Sequence, residues 1–144
     1  MKKLLLHISF VCLSGVFFIS CVKKGPDTTP TTIMTGHWQV VQTATDDNNN
    51  HQLDNEELRS MAVGVTDYYL FNANHTGTEE VTYNGTPTDY NFVWALPNSS
   101  QFLQIFLEGH DSTTYHIVTF SPANTTLLDT SQSIYSWKVM KKKS

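Results

Sequence analysis

The sequence predicts an all-β domain: an eight-stranded, up-and-down antiparallel barrel with one short helix after its first long loop. Three observations predict it. Apolar runs recur about every ten residues, each bounded by Asn, Gly, Pro, Asp or Ser, which is the punctuation of an all-β chain. Most of the connections between these runs are of hairpin length, so neighbours in sequence are expected to be neighbours in space. An open meander of this many strands leaves an exposed edge on each side, and closure into a barrel removes both.

The chain has 144 residues, the size of one domain. Residues 1–20 stand apart from the fold. Met1-Lys2-Lys3 is a basic start, and the apolar run over residues 4–19 is about 24 Å long as a helix, short for a ~30 Å hydrocarbon core and normal for a secretion signal. The run ends in Phe18-Ile19-Ser20-Cys21. This resembles the lipobox of bacterial lipoproteins, with Ser20 as the small residue before the cut and Phe18 where that family usually has Leu. The resemblance implies a lipidated Cys21, and Val22 after it goes with outer-membrane delivery, facing the periplasm. Each buried CH₂ of a lipid contributes roughly 0.8 kcal/mol, so two or more chains hold a protein on a membrane. A chain cut there keeps no free thiol, because Cys12 leaves with the signal.

Residues 21–35 follow as a Pro/Thr-rich tether without apolar period. The folded unit is expected over residues 36–140, with a basic tail at 141–144. Strands are expected over 37–45, 66–72, 78–84, 88–96, 101–108, 112–120, 125–130 and 133–140. The helix is expected over 56–61, with Asp54 as its N-cap. Tyr90, Phe92, Trp94 and Leu96 form one face of their strand, and Tyr135, Trp137 and Val139 form an apolar face against Ser136 and Lys138. The 101–108 strand is apolar on both faces, which predicts either a cover from the short helix or an interface.

Gly36-His37-Trp38 at the start of the first strand is similar to the Gly-x-Trp of lipocalins, whose Trp closes the base of an eight-stranded barrel. The long first connection followed by tight hairpins is lipocalin-like too. With the leader, the chain resembles the small lipocalin-like lipoproteins of bacterial envelopes, although it is shorter than most lipocalins and shows no C-terminal helix. The resemblance implies a small apolar or amphipathic ligand held near Trp38, Tyr90, Phe92, Trp94 and Tyr135. Strands of this length at ~3.3 Å rise and ~40° tilt make a barrel only about 18 Å tall, so its own aromatics could fill it. The alternative is a non-enzymatic interaction or structural protein of the envelope, docking through the outer face of strand 101–108.

The sharpest local motif lies in the long connection. Residues 46–57 resemble the EF-hand calcium loop, which takes oxygen ligands at alternate positions because every second side chain of the wrapped chain points inward. The candidate ligands are Asp46, Asn48, Asn50, Gln52 through its main-chain carbonyl, Asp54 and Glu57, with Leu53 as the apolar anchor. His51 stands where the loop expects Gly, at a position needing positive φ, which His tolerates better than most residues. Bound Ca²⁺ is expected to brace the loop structurally. A surface loop with Asp54 and Glu57 as a helix capping pair would need no metal.

Catalysis is not expected. His110-Asp111-Ser112 are adjacent, whereas the members of a triad converge from different segments. His37 and His116 fall on strands, and His75 lies in a turn without partners at zinc spacing. Glu79 and Glu80 point to opposite faces of one strand and cannot work as a paired acid and base. The net charge of −4 hides an uneven distribution: between Gly36 and Trp137, Arg59 is the only base among twelve acids. That excludes a nucleic-acid grip and favours a bound cation over an anionic partner.

Overall fold

The computed structural model describes residues 29–98 and 101–144; the leader and Cys21 lie outside the described residues. Helix α1 (Pro30–Met34) precedes nine strands: β1 (Gly36–Thr45), β2 (Arg59–Ser60), β3 (Val65–Phe71), β4 (Thr76–Tyr83), β5 (Thr86–Ala95), β6 (Phe102–Leu107), β7 (Ser112–Phe120), β8 (Asn124–Asp129) and β9 (Ser136–Lys142). Strands β1 and β3 to β9 pair in sequence order, and β1 pairs with β9 to close the eight-stranded barrel. The closing ladder runs antiparallel from Trp38 opposite Lys142 to Thr45 opposite Ser136, with a bulge between Val40 and Gln42. Closure leaves no barrel strand with a free edge.

Turn chemistry sets the hairpins. Asn84 and Gly85, both at positive φ (50° and 82°), make the two-residue β4–β5 turn, the geometry that Asn-Gly favours because it matches strand twist. Thr86 and Pro87, expected in the turn, instead pair with Tyr83 and Thr82.

Side chains alternate across each strand, and one set packs inward. Trp38, Val40, Tyr69, Phe71, Phe92, Trp94, Leu103, Ile105, Tyr115, Leu127 and Met140 form one buried core together with Met34. Gly77 belongs to the same inward set; a Cβ there would lie 2.3 Å from the Phe92 ring, so the bare backbone makes room for that ring.

The short helix sits elsewhere than expected. Thr29 caps α1, its hydroxyl accepting from Thr32 N at 3.4 Å, and Pro30 occupies the first turn, where its missing N–H costs nothing. Met34 is fully buried, so the folded unit takes in residues assigned to the tether. The 56–61 segment is not helical. Asn55 to Glu57 form a turn closed by Glu57 N to Asp54 O at 3.1 Å, and Arg59 and Ser60 add a short strand beside Thr43 and Gln42 of β1. A helix of six residues gains little cooperativity, whereas β3 pairs only with Gly36 to Gln39 of β1 and leaves backbone partners beyond.

The face of β9 is also reversed. Met140 is in the core and Lys138 reaches interior side chains, so Trp137 points outward, opposite Ala44 and Leu128. It is nonetheless 2% exposed. The long connection folds back on this side, with the His51 ring 4.4 Å from that of Tyr135 and Asp46 N donating to Tyr135 O at 2.9 Å.

Candidate functional site

The barrel has a closed base and a polar mouth. At the base, the Trp38 indole Nε1 donates to Met34 O at 2.6 Å and Lys142 Nζ donates to Ile33 O at 2.8 Å. Lys142 also lies 5.3 Å from the Trp38 ring centroid. These contacts satisfy carbonyls at the end of α1, which have no partner within the helix. Phe71 packs edge-on against Phe92 and Trp94, with centroids 5.3 and 5.4 Å away, and Trp94 Nε1 reaches Asn72 O and Thr76 O. The aromatics fill this half.

Toward the other end, where β1 finishes and β3 begins, the inward positions turn polar. Asp67 and Tyr69 on β3, Glu79 on β4, Tyr115 on β7 and Lys138 on β9 share the inner face. Lys138 Nζ donates to Asp67 Oδ2 at 3.2 Å and to the Tyr69 hydroxyl, and lies 3.6 Å from Glu79 Oε1. Tyr69 in turn donates its hydroxyl proton to Glu79 Oε1. Two carboxylates thus share one ammonium. Asp67 is 7% exposed, and its Oδ1 is buried with no hydrogen-bond partner among the described residues.

The electrostatics follow from that crowding. Burial pushes the Asp67 carboxyl up from its ordinary range; Lys138 opposes this and Glu79 adds to it. Burial, together with Asp67 and Glu79, pushes Tyr69 well above the ordinary phenol value, and burial also raises Tyr115. Burial pulls Lys138 down, but the combined attraction of Tyr115, Asp67 and Glu79 outweighs it, and the ammonium holds its proton above the usual lysine range.

The five aromatics expected around a ligand are not brought together. Trp38, Phe92 and Trp94 are buried in the base. Tyr90, opposite Glu79 and 41% exposed, is the one next to the polar mouth. Tyr135 packs on His51 outside the interior. Sequence reasoning missed Asp67, Tyr69, Glu79, Tyr115 and Lys138 as a group. The available signal was Asp67 in phase with Tyr69 and Phe71, an acid at a core position.

The candidate metal residues are linked by hydrogen bonds within one loop, although among the described residues no three acidic or histidine side chains converge closely enough to hold a metal as they stand. Asp46 is 4% exposed, its Oδ1 accepting from Asn50 N at 3.0 Å and its Oδ2 from His51 N at 2.9 Å. Asn48 Oδ1 accepts from Asn50 N, and Asn50 Oδ1 from Gln52 N. Both amides donate to Asp54 Oδ2, at 2.9 and 2.8 Å, so Asp54 is engaged inside the loop and caps no helix. His51 adopts φ 59°, a left-handed conformation. Glu57 Oε1 accepts from Asp47 N and Asn48 N.

On the outer surface, strand β6 is uncovered on its second face. Phe106 sits directly opposite Val93 of β5, and the two, 41% and 51% exposed, line an open groove of about 550 Å³ with Asn91 and Glu108.

Comparison with known proteins places this architecture. A family profile described as a lipocalin-like domain matches residues 34–127. The chain is also similar in structure to a lipocalin-like protein from Bacteroides uniformis ATCC 8492. The TM-score is 0.57 and the identity 14%, over 77% of this chain and 99% of that one. No curated protein matches the sequence.

Proposed function

Because the chain belongs to the family of lipocalin-like domains, we propose that it is a lipid-tethered binding protein of the cell envelope that takes a small amphipathic ligand at the polar mouth of its barrel. The observation that carries the reading is Asp67: a buried carboxylate whose Oδ1 has no partner among the described residues is costly unless something donates to it. With Glu79 beside it and one ammonium between them, the mouth favours a head group that donates hydrogen bonds or carries positive charge. Tyr90 and Leu107 offer apolar surface for a short tail. The filled base sets the size, since Trp38, Phe71 and Trp94 leave no room for a long chain. The role is binding, without chemistry.

The tether rests on the leader: a lipid on Cys21 places the barrel on the outer membrane, facing the periplasm. Labelling growing cells with a palmitate analogue tests it; Cys21→Ser is expected to lose the label and the membrane fraction, and an equally labelled variant would remove the anchor. Ligand binding is tested with N-phenyl-1-naphthylamine, whose fluorescence rises in apolar sites. Hexylamine is expected to displace it better than hexanoate, and Asp67→Asn to abolish that preference. No enhancement, together with no co-purifying small molecule in native mass spectrometry, would sink the ligand reading.

The exposed Val93–Phe106 pair favours a second reading, a docking face for another envelope component. On that reading Phe106→Ser changes the mobility of the detergent-extracted protein on native gels while leaving dye binding intact.

A further inference from the structure

We propose that the β1–β3 connection is a calcium site in which Asp46, Asn48, Asn50, the Gln52 carbonyl, Asp54 and Glu57 hold one Ca²⁺ and fasten the connection to the barrel wall. Three acids and three neutral oxygens form a hard-cation donor set, with Asp47 and Glu56 adding charge; the bases beside it are Arg59, 3.9 Å from Asp47, and the His51 ring, whose Nδ1 lies 3.1 Å from Asp46 Oδ2. The independent observation is Glu57. It is 5% exposed, and its Oε2 is buried with no hydrogen-bond partner among the described residues, while Oε1 is held by the amides of Asp47 and Asn48.

That anchoring holds the carboxylate beside a cavity of about 280 Å³ lined by Asp47, Asn48, Asp54, Glu56, Glu57 and Arg59. Burying an ionised carboxylate oxygen without a partner is strongly unfavourable, and a cation supplies the partner. The backbone is wrapped for it as well. Asp46, Asn48 and Asn50 each accept a main-chain N–H two to five residues ahead, which turns these three side chains toward the inside of the loop. On binding, Asp54 Oδ2 exchanges the amides of Asn48 and Asn50 for the cation.

The anchor points explain what the ion does. Asp46 N is bonded to Tyr135 O and the His51 ring packs on Tyr135, two residues from the outward, buried Trp137. Ordering the loop therefore orders its contacts with Tyr135 on the outer wall. Calcium is preferred to magnesium because the donors come from a flexible loop and the closing Glu57 can give both oxygens, whereas magnesium demands a tight octahedron.

The test uses the full chain in detergent, stripped with EGTA and titrated with CaCl₂ or MgCl₂ by calorimetry and thermal melting. Saturable binding of one Ca²⁺ is expected with Kd on the order of 10⁻⁴ to 10⁻³ M, together with a rise in Tm of several degrees at about 10 mM. Glu57→Gln is expected to weaken binding at least tenfold while its melting in EGTA matches or exceeds that of the unaltered protein, which separates loss of the ion from loss of the fold. Asp89→Asn, an acid on strand β5, is expected to respond like the parent. No heat and no Tm shift at 10 mM, an equal response to Mg²⁺, or equal losses in Glu57→Gln and Asp89→Asn would each overturn the assignment.

Discussion

The Lys138 ammonium lies 3.2 Å from the Asp67 carboxylate, although β9 and β3 share no hydrogen-bonded ladder and meet only across the barrel interior. The contact gives the interior its charge balance. Among the described residues Lys138 is the single positive group facing Asp67, Glu79 and two tyrosines, so each protonation state inside depends on the others.

Lys138→Met removes the shared ammonium and leaves two carboxylates together. At neutral pH the loss is expected to be on the order of 2 to 3 kcal/mol, at the low end for a buried pair, because the lysine is 28% exposed. Chemical denaturation at pH 7 and pH 4.5 checks it: the deficit should shrink in acid as the carboxyls protonate, and a deficit independent of pH would contradict the arrangement.

Asp67→Asn should behave in the opposite sense. The folded-state pKa of Asp67 is raised above the ordinary 3.8, so the folded protein binds a proton that the unfolded chain has released. The stability this contributes is present below about pH 4 and is lost as pH rises through the folded pKa. Relative to the parent, the Asn variant should therefore gain stability between pH 4 and 7, as read from denaturant midpoints. A variant that loses ground over that window would sink the assignment.

At the alkaline end, Tyr69 and Lys138 both hold their protons above ordinary values of 10.0 and 10.5. Their contribution is complete below about pH 10 and falls as pH climbs further. Tyr69→Phe should flatten that fall in thermal melts; an unchanged alkaline limb would place the phenol outside the network.

Two packing contacts at the base carry sharper costs. Trp38→Phe deprives Met34 O of its indole donor and is expected to cost about 1 to 3 kcal/mol. Gly77→Ala drives a methyl into the Phe92 ring and the Leu70 carbonyl, with a similar cost of about 1 to 3 kcal/mol from overpacking. Urea unfolding measures both, and changes under 0.5 kcal/mol would contradict these contacts.

Brief trypsin treatment offers a topological check. Arg59 is the only basic residue between Gly36 and Trp137, and it lies in β2, outside the eight strands that close the barrel. A cut after Arg59 should leave the two pieces associated and melting cooperatively. Separation of the fragments on gel filtration would mean that the connection is needed to hold the barrel together.

The sequence alone determined the strands and most of their order, because turn chemistry and period-two alternation are local. Residues such as Gly109, with Asn and Asp around the hairpins, stop each strand regardless of what it packs against. The lipocalin-like start was legible in Gly36-His37-Trp38 for the same reason. Tertiary structure decided which face of each strand is inside. On β9 the apolar set of Tyr135 and Trp137 lies outward, while Lys138 goes in with Met140. Alternation defines two faces but does not choose between them, and the choice was made by the register of closure and the bulge at Val40 and Gln42. The same register brings Lys138 to Asp67 and Glu79, from strands far apart in sequence. It likewise took Met34 out of an apparent tether, because a buried Trp38 indole needed an acceptor and the nearest free carbonyls were those ending α1.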